Sequence, residues 1–477
     1  MKEYRQFING ALVTSHSKDK IEVENPYTGK IMALAPQGDA VDAQAALEAA
    51  KNSQDAWAAQ PAAARAVFLN KMADVIRENR IDLARTLASE QAKVLPLAQV
   101  EVDFTADYFN YYAGWARIYE GEIIQSDRPN EDMLLYRQPI GVVAGICPWN
   151  FPLFVMARKV APALLTGNTI VIKPSSETPA TTLAFAELAA TIDLPPGVLN
   201  IISGKGSTLG ETLVRSPITG MVTLTGSVGA GTKIIAASAE NITKCSLELG
   251  GKAPAIIFAD ADIDLAVKAV VASRVIFSGQ VCNCAERVYV QKEIAEEFTA
   301  KLVDAMKAVT YDDPFADPAP DMSCQVSLDQ LNKIEAMVNR AGEAGAEALC
   351  GGKKANMETG YFFEPTVLIG CRQADEIVQQ EVFGPVLPVL TFSDIDEAVN
   401  LANDCEFGLT SSIYTSNINT TFEAINRLKF GETYVNRENF EGMQGFHAGW
   451  RKSGIGGADG KHGLYEYLQT HIAYIQR

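Results

Sequence analysis

The residue best suited to do chemistry in this sequence is Cys282, which stands in the stretch SGQVCNCAERVYV. A thiolate is an effective nucleophile for the electrophilic carbon of an aldehyde. Glu248 lies upstream in LELGGKAP, and a carboxylate can activate the water that later releases a product from the sulfur. A single cysteine is weak evidence, however, because free cysteines are usually small, buried, hydrophobic residues.

Further motifs raise the weight of this cysteine. The chain contains PWNFP with Asn150, IKPS with Lys173, ELGGK with Glu248, GQVCNCAER with Cys282 and EVFGPV with Glu381. On these five motifs and their order, the sequence resembles the NAD(P)-dependent aldehyde dehydrogenase superfamily over nearly its whole length. Within that superfamily it is most similar to the lactaldehyde and glycolaldehyde dehydrogenases.

The resemblance implies an α/β fold, aldehyde dehydrogenase-like, with two parallel-sheet domains and a β-hairpin oligomerisation element. Residues 1–120 and 141–250 are then expected to form a Rossmann-like cofactor-binding domain, and residues 251–450 the catalytic domain. Residues 121–140 and 465–477 are expected to supply oligomerisation strands, which favours a homo-oligomer, a dimer or a tetramer.

The resemblance also implies a mechanism. Cys282 attacks the aldehyde to give a thiohemiacetal, and the Asn150 amide with the Cys282 N–H stabilises the oxyanion. Hydride transfer to the nicotinamide leaves a thioester, which Glu248 hydrolyses through an activated water. Taken alone, Asn150 could equally be a turn residue between two prolines. Cys284 competes as a nucleophile, but the GQxC frame selects Cys282, and we expect Arg287 to be structural.

The cofactor, NAD or NADP, is expected to lie at the ends of several strands. Gly206 and Gly210 follow the apolar strand VLNIIS, but their spacing departs from the dinucleotide fingerprint and is weak evidence. The turn TLTGSVGAG is the better pyrophosphate candidate, since its glycines expose backbone N–H groups at a helix N-terminus. The residues expected at the cofactor are Ile146, Pro148, Trp149, Lys173, Ser175, Ser176, Gly206, Gly210, Gly226, Ser227, Gly231, Leu249, Glu381 and Phe383.

Lys173 is expected to donate to the adenosine ribose, and Glu381 to accept from the nicotinamide ribose; otherwise they are a solvated strand end and a surface acid. Relatives that use NAD strictly tend to carry glutamate three residues after the lysine, where this chain has Ser176. A neutral hydroxyl would not repel a 2′-phosphate. The sequence therefore predicts that NADP is accepted.

Three polar residues, Arg158, Glu441 and His447, are expected to bind the substrate. They match positions that hold the substrate hydroxyl in the lactaldehyde dehydrogenases, and each supplies directional hydrogen bonds. The alternative is that Arg158 and Glu441 form a structural ion pair while His447 packs. A small hydroxyaldehyde is the expected substrate, with a sugar-derived aldehyde such as an anhydrohexose as the alternative.

Other functions remain open at this point. A CoA-acylating semialdehyde dehydrogenase would share the cysteine but would have little use for Glu248. An idle structural or binding member of the family would not need the complete set of reactive residues. Ester hydrolysis at Cys282 is conceivable as a side activity.

Composition limits the remaining classes. The formal net charge of −17 argues against nucleic acid or an anionic membrane as partner. Eight cysteines in a chain whose first residues lack a signal peptide's apolar core predict reduced thiols and a cytoplasmic protein. The four histidines are far apart in sequence and form no zinc-site pattern, so no metal is expected.

Secondary-structure patterns must position these motifs. Helices are expected from about Asp39, as N-cap, to about Tyr119. A hairpin with a polar turn at 127–130 should follow, and then two series of alternating strands and helices, the signature of parallel sheets. The C-terminal LQTHIAYIQR predicts one more strand, with the hairpin of a partner subunit as its candidate neighbour.

Overall fold

The structure, a computed structural model, describes residues 1–477. The strands, numbered in chain order, are β1 (Lys2–Glu3), β2 (Gln6–Ile8), β3 (Ala11–Val13), β4 (Lys20–Asn25), β5 (Lys30–Pro36), β6 (Glu122–Gln125), β7 (Glu131–Pro139), β8 (Val142–Ile146), β9 (Thr169–Lys173), β10 (Leu199–Ile201), β11 (Thr219–Thr225), β12 (Lys244–Glu248), β13 (Ala253–Ile257), β14 (Ala285–Gln291), β15 (Glu347–Cys350), β16 (Thr366–Ile369), β17 (Val386–Phe392), β18 (Thr410–Tyr414), β19 (Glu432–Val435), β20 (Gly454–Ile455) and β21 (Leu468–Gln476). The α-helices are α1 (Ala40–Ala58), α2 (Ala62–Glu78), α3 (Arg80–Gln91), α4 (Leu95–Gly114), α5 (Pro152–Leu165), α6 (Ala180–Ala189), α7 (Glu211–Arg215), α8 (Val228–Ser238), α9 (Ile263–Val275), α10 (Ala295–Ala308), α11 (Leu328–Glu343), α12 (Glu376–Gln379), α13 (Ile395–Asn403), α14 (Ile418–Arg427) and α15 (Gly460–Glu466).

The first large sheet has eight strands in the order β20-β12-β11-β8-β9-β10-β2-β3. Its five central strands, β12 to β10, are parallel; β20 and β2 run antiparallel to them, and β3 pairs antiparallel with β2 at the edge. Strands β8 and β9 are buried along their whole length, which explains their continuous apolar runs. The alternation of strands and helices predicted for this region is confirmed.

The second large sheet has seven strands in the order β15-β16-β17-β14-β13-β18-β19, parallel except for β15. Its strands come from residues 253–435 in a second strand–helix series, as predicted. Two parallel sheets with crossover helices confirm the fold class. The domain boundaries drawn from the sequence stay a prediction.

The hairpin lies outside both large sheets. Strands β6 and β7 pair antiparallel around the polar turn, and β21 pairs with β7 from Leu468 to Gln476. The C-terminal strand therefore joins the hairpin of its own chain, which corrects the expectation of a partner's hairpin. The two strands are nine residues long each and pair residue for residue along their whole length, so the pairing occupies the backbone hydrogen-bonding groups of both.

Four helices, α1 to α4, fill the N-terminal region up to Gly114. Asp39 caps α1 as predicted: its carboxylate accepts from the N–H groups of Val41 and Asp42. The Asp42 carboxylate accepts in turn from the Asp39 N–H, which completes a capping box. Pro61 starts α2, and Pro96 lies in the first turn of α4, where proline is tolerated. No helix is both long and apolar enough to cross a membrane.

Candidate active site

A cavity of about 790 Å³, including its open mouth, brings five of the six predicted catalytic and substrate residues together: Asn150, Arg158, Cys282, Glu441 and His447. Much of the remaining lining is apolar and aromatic, from Phe104, Phe151, Phe154, Phe440 and neighbouring aliphatic residues. The sixth residue, Glu248, lies behind this lining, where its carboxylate meets Thr225 and Arg158. The cavity thus places the Cys282 thiol beside three ionisable side chains, Arg158, Glu441 and His447, in an otherwise largely apolar lining.

The segment of residues 276–284, here the cysteine loop, presents Cys282 between α9 and β14. Three consecutive residues of this loop, Phe277, Ser278 and Gly279, have φ values of 46°, 56° and 78°. A Cβ on Gly279 would lie 2.4 Å from the Gly384 carbonyl, so only glycine fits there. Burial raises the pKa of the Cys282 thiol, and the facing His447 imidazole acts to lower it.

Cys284 lies beneath the site and is buried. Its thiol donates to the Val281 carbonyl at 2.9 Å, and burial raises its pKa to about 12. Such a thiol is a poor nucleophile at neutral pH. Arg287 donates to the carbonyls of Lys252 and Ala402, at 2.9 and 2.6 Å, so its predicted structural role is confirmed.

Asn150 is buried on the loop of residues 148–152, here the PWNFP loop. Its side-chain amide donates to the Gln280 carbonyl at 3.0 Å, which ties it to the cysteine loop and leaves its second N–H free. Its side-chain oxygen accepts from the Phe151 N–H. The amide therefore already lies beside the backbone that leads into Cys282.

Two buried residues that the sequence did not single out hold this loop. Lys93 donates to the Asn150 carbonyl at 2.7 Å and forms a fully buried ion pair with Glu101. Its ammonium also lies 3.6 Å from the Phe151 ring and 4.5 Å from that of Phe277 in the cysteine loop. Glu101 accepts from the first N–H groups of α5, at 3.1 and 3.2 Å, where a carboxylate favours a helix N-terminus.

We expect Lys93→Met to lower the free energy of unfolding by about 3–5 kcal/mol, because Glu101 would keep its buried charge without a partner. Equilibrium denaturation in urea measures the loss. Lys301→Met is the matched control: Lys301 pairs with Asp264 at 2.8 Å but is exposed, and its loss should hardly move the midpoint. Equal losses in the two variants would contradict the supporting role of Lys93.

Arg158 lies at the centre of a buried charge network. It donates to both Asp459 oxygens, at 3.1 and 2.8 Å, and to Glu441 at 2.9 Å, and lies 3.8 Å from Glu248. The ion pair with Glu441, which the sequence offered as the alternative, therefore exists, and both residues still line the cavity. Burial raises the pKa of Asp459 to about 6, against the effect of Arg158.

Asp459 was not predicted as a site residue. Its backbone has φ 72° and ψ 159°, a region that glycine alone occupies readily, and its carboxylate also accepts from the Tyr108 hydroxyl at 2.7 Å. The sequence around it, ADG, matches no functional motif. The strained backbone is the one signal of its role, and it is visible in the structure alone.

Glu248 ends β12 and is buried. Thr225 on the adjacent strand donates to it at 2.8 Å, and Lys159 donates to the same threonine at 2.9 Å. Burial acts to raise the pKa of Glu248, but Arg158 and Lys159 together hold it below its ordinary value. The carboxylate is therefore ionised at neutral pH and able to accept a proton.

His447 is buried, with one ring nitrogen, Nδ1, 2.7 Å from Glu432 Oε1. Burial acts to lower the pKa of His447, but Glu432 and the contact with Cys282 raise it well above its ordinary value. Its backbone N–H and carbonyl both bond to Ala458, each at 2.9 Å. Glu432 is a further residue that no sequence motif indicated.

Lys173 ends β9 and is buried. Its ammonium donates to the carbonyls of Pro174 and Gly204, at 2.7 and 3.2 Å, and the Ser176 hydroxyl donates to the Gly204 carbonyl at 3.2 Å. Burial lowers the pKa of Lys173 to about 8. Ser175 lies at the same strand end, where its hydroxyl accepts from the Glu177 N–H. The two predicted ribose-side residues, Lys173 and Ser176, thus meet at one carbonyl.

Two glycine-bearing turns lie at neighbouring strand ends. Gly206 and Gly210 bound a single π-helical turn, and nothing lies within 4 Å of a Cβ placed on Gly206. Ser227 caps α8 by accepting from the Ala230 N–H. A Cβ on Gly231 would lie 2.7 Å from Leu249, so glycine lets α8 pack on that residue. Gly226 precedes the cap and donates to the Glu248 carbonyl.

The remaining expected cofactor residues lie at further strand ends and in loops. Ile146 ends β8, Pro148 is partly buried, and Trp149 contacts Phe383 edge to face, with ring centroids 5.3 Å apart. Glu381 accepts from the Gly251 N–H at 2.9 Å, and burial with the nearby Glu286 raises its pKa to about 7.

Glu286 is another residue that no sequence motif indicated, and it connects the backbone of Val382 and Phe383 to the cysteine loop. It accepts from the N–H groups of Val382 and Phe383, each at 3.1 Å, and from Lys252 and Arg274 at 2.8 and 2.7 Å. Burial acts to raise the pKa of Glu286, but the two cations hold it at about 2. Arg274 also donates to the Gly279 carbonyl of the cysteine loop.

Comparison with known proteins matches residues 12–473 to the aldehyde dehydrogenase family. Lactaldehyde dehydrogenase of Escherichia coli (strain K12) is 54% identical over 474 residues, 99% of each chain. The crystal structure of lactaldehyde dehydrogenase from E. coli has a TM-score of 0.98 at 54% identity and covers 100% of both chains. The structure of 3,6-anhydro-L-galactose dehydrogenase in complex with NAP has a TM-score of 0.97 at 42% identity and covers 99% of this chain and 100% of the other.

Proposed function

Because the chain belongs to the aldehyde dehydrogenase family, we propose that it oxidises a small hydroxyaldehyde, of the lactaldehyde or glycolaldehyde type, to its carboxylic acid with NAD or NADP. The observation that carries the proposal is the cavity that combines Cys282 with Arg158, Glu441 and His447. An aliphatic aldehyde needs no such charged wall, whereas a hydroxyl group beside the carbonyl gives each of these residues a partner. The full-length likeness to lactaldehyde dehydrogenase supports the same substrate class.

In this proposal Cys282 bonds to the aldehyde carbon and forms a thiohemiacetal. The free N–H of the Asn150 amide and the Cys282 backbone N–H stabilise the oxyanion, because they are held in place before the charge develops. Loss of hydride converts the adduct to a thioester. Glu248, ionised and buried, takes a proton from the water that hydrolyses it.

The residues at the strand ends fit a dinucleotide. The third hydrogen of the Lys173 ammonium is left to donate to a ribose, the Ser176 oxygen beside it can still accept, and the Gly206 turn leaves open space. The N-terminus of α8 offers N–H groups to a pyrophosphate. Glu381 would accept from the second ribose and Trp149 with Phe383 would flank the nicotinamide, which when bound accepts the hydride.

The substrate is tested by initial rates with L-lactaldehyde and with propanal, which lacks the hydroxyl. We expect Glu441→Gln to lower kcat/KM for lactaldehyde by about 10–100-fold more than for propanal, the scale of one lost charged hydrogen bond. Asp459, unlike Glu441, does not line the cavity. We therefore expect Asp459→Asn to lower kcat/KM for both aldehydes by the same factor. Equal losses on both aldehydes in Glu441→Gln would assign Glu441 to structure.

The cofactor preference is tested at Ser176. We expect Ser176→Glu to lower the ratio of kcat/KM with NADP to that with NAD by about tenfold or more, which corresponds to ~1.4 kcal/mol of added repulsion. Fluorescence titration should show the same change in the dissociation constants without any turnover. A ratio that stays the same in both measurements would show that Ser176 does not contact the 2′ position.

The alternatives from the sequence have less support. An anhydrohexose substrate corresponds to the neighbour at 42% identity, against 54% for lactaldehyde dehydrogenase. An acyl transfer to CoA would leave the buried, ionised Glu248 without a task, and a family member that is only structural would not need it either.

We also propose a cytoplasmic location and a homo-oligomeric assembly, either a dimer or a tetramer. All eight cysteines are free, as in a reducing compartment. The sheet formed by β6, β7 and β21 exposes apolar side chains: Ile123 is 85% exposed and Tyr474 is 62% exposed. Such a surface is typical of a subunit interface.

A further inference from the structure

His447 lies beside a carboxylate and lines the cavity that holds Cys282. Nδ1 lies 2.7 Å from Glu432 Oε1, and the ring shares the cavity lining with the Cys282 thiol. A ring that gives Nδ1 to a carboxylate has Nε2 left for the thiol. The order carboxylate, imidazole, thiol is the arrangement in which a base is oriented by a third group and activates a nucleophile.

The backbone around His447 is fixed on two sides. Ala458 pairs with it through two hydrogen bonds of 2.9 Å. On the other side, a Cβ on Gly431 would lie 1.6 Å from the Ala448 carbonyl, so the strand that carries Glu432 runs directly against the chain beside His447. The Tyr434 hydroxyl donates to the second oxygen of Glu432 and keeps the first one turned toward the ring. The contact is therefore built into the fold.

We propose that Cys282 and His447 form a thiolate–imidazolium pair in the resting enzyme, and that Glu432 is the residue that positions and stabilises the imidazolium. The proton of the thiol moves from Sγ to Nε2, and its bonding electron pair stays on the sulfur. Nδ1–H keeps its bond to Glu432, and the net charge of the site does not change. The proposal rests on the proposed role of Cys282 as nucleophile.

The charges around the pair favour the imidazolium. The carboxylates of Glu432, Glu441, Glu248 and Asp459 favour the imidazolium and Arg158 opposes it, whereas Glu441 and Glu381 oppose the thiolate. Burial opposes the charged form of both partners, so the pair depends on its direct carboxylate contact. Glu432 is the one carboxylate in hydrogen-bond contact with the ring.

The pair also explains how one histidine can serve two purposes. While the thiolate is free, Nε2–H is its hydrogen-bond donor. Once the sulfur has bonded to the aldehyde carbon, it no longer carries that charge, and the same N–H is released to the oxygen of a substrate hydroxyl. Activation of the nucleophile and recognition of the hydroxyl then occur in sequence at one atom.

The test is the pH dependence of alkylation of Cys282 by iodoacetamide, followed on the Cys282 peptide by mass spectrometry in the full-length protein without cofactor. Loss of the carboxylate lowers the pKa of the imidazolium, so the thiolate loses its counter-charge and the thiol pKa rises. We expect Glu432→Gln to move the alkylation midpoint up by about one pH unit, about a tenfold slower reaction near neutral pH. His447→Asn should give the same shift or a larger one.

Glu438→Gln is the matched control, since Glu438 is exposed and pairs with Arg437 away from the ring; its profile should equal that of the wild type. If Glu432→Gln and His447→Asn both keep the wild-type midpoint, the pair does not exist. A shift in His447→Asn alone would remove Glu432 from it. Aldehyde oxidation by Cys282→Ser would instead refute the proposed function, so the two failures are distinguishable.

Discussion

Cys282→Ser should lose at least about 10⁴-fold in aldehyde oxidation, the scale on which enzymes lose activity when their nucleophile is removed. A serine hydroxyl is far less acidic than a thiol, and the charged groups at this cavity wall cannot compensate for that difference. No hydride would be released, because the thiohemiacetal that expels it does not form. Initial-rate absorbance of the reduced nicotinamide, with lactaldehyde as substrate, measures the loss.

Two matched cysteine variants give this result its meaning. Cys245→Ser changes a partly exposed thiol on β12, which bonds to the Thr243 carbonyl, and should keep the wild-type rate. Cys284→Ser tests the competing thiol directly, and because that thiol is buried beneath the site its loss should leave turnover largely intact. If Cys284→Ser folds but has no turnover, Cys284 and not Cys282 would be the nucleophile.

Glu248→Gln should separate the two halves of the reaction. The amide keeps the size of the side chain and its contact with Thr225, but it cannot take a proton from water. We therefore expect a rapid burst of reduced nicotinamide, close to one per active site, followed by steady-state turnover that is about 10²–10⁴-fold slower. Stopped-flow absorbance gives the burst, and mass spectrometry of the quenched enzyme should show the acyl group on Cys282.

Glu240→Gln serves as the control, because Glu240 is exposed and approaches only Arg215, at 4.0 Å. It should show neither the burst nor the slow phase. A Glu248→Gln enzyme that loses the burst together with turnover would indicate that Glu248 acts before hydride transfer, for example on the thiol.

The sequence predicted the fold class because buried parallel strands leave a local pattern, a continuous apolar run. The candidate catalytic and substrate residues could be named because most of them stand in short motifs, and five of the six line one cavity. Asp39, the helix cap, and Arg287, the structural arginine, were predicted from local chemistry and are confirmed.

The supporting residues could not be found in the same way. Lys93, Glu286 and Asp459 act through partners that are distant in the chain: Lys93 bonds to Asn150 and Asp459 to Arg158, 57 and 301 residues away. Glu432 is only 15 residues from His447, but no motif joins the two. A buried lysine reads in sequence as a solvated one, since its apolar neighbours come from other segments. The partner of the C-terminal strand was misjudged for a related reason, because strand pairing depends on where a chain end lies in space.

The buried carboxylate of Glu286 has a further consequence. One of its oxygens meets the backbone of Phe383, and the same group pairs with Arg274, which grips the cysteine loop at Gly279. The loop that would face the nicotinamide and the loop that carries the nucleophile are therefore both held by the same ion pair, Glu286 with Arg274. We therefore expect the displacements of the two loops to be correlated. The gap between the sulfur and the hydride acceptor, across which the substrate carbon has to fit, should then vary less than it would if the loops moved independently.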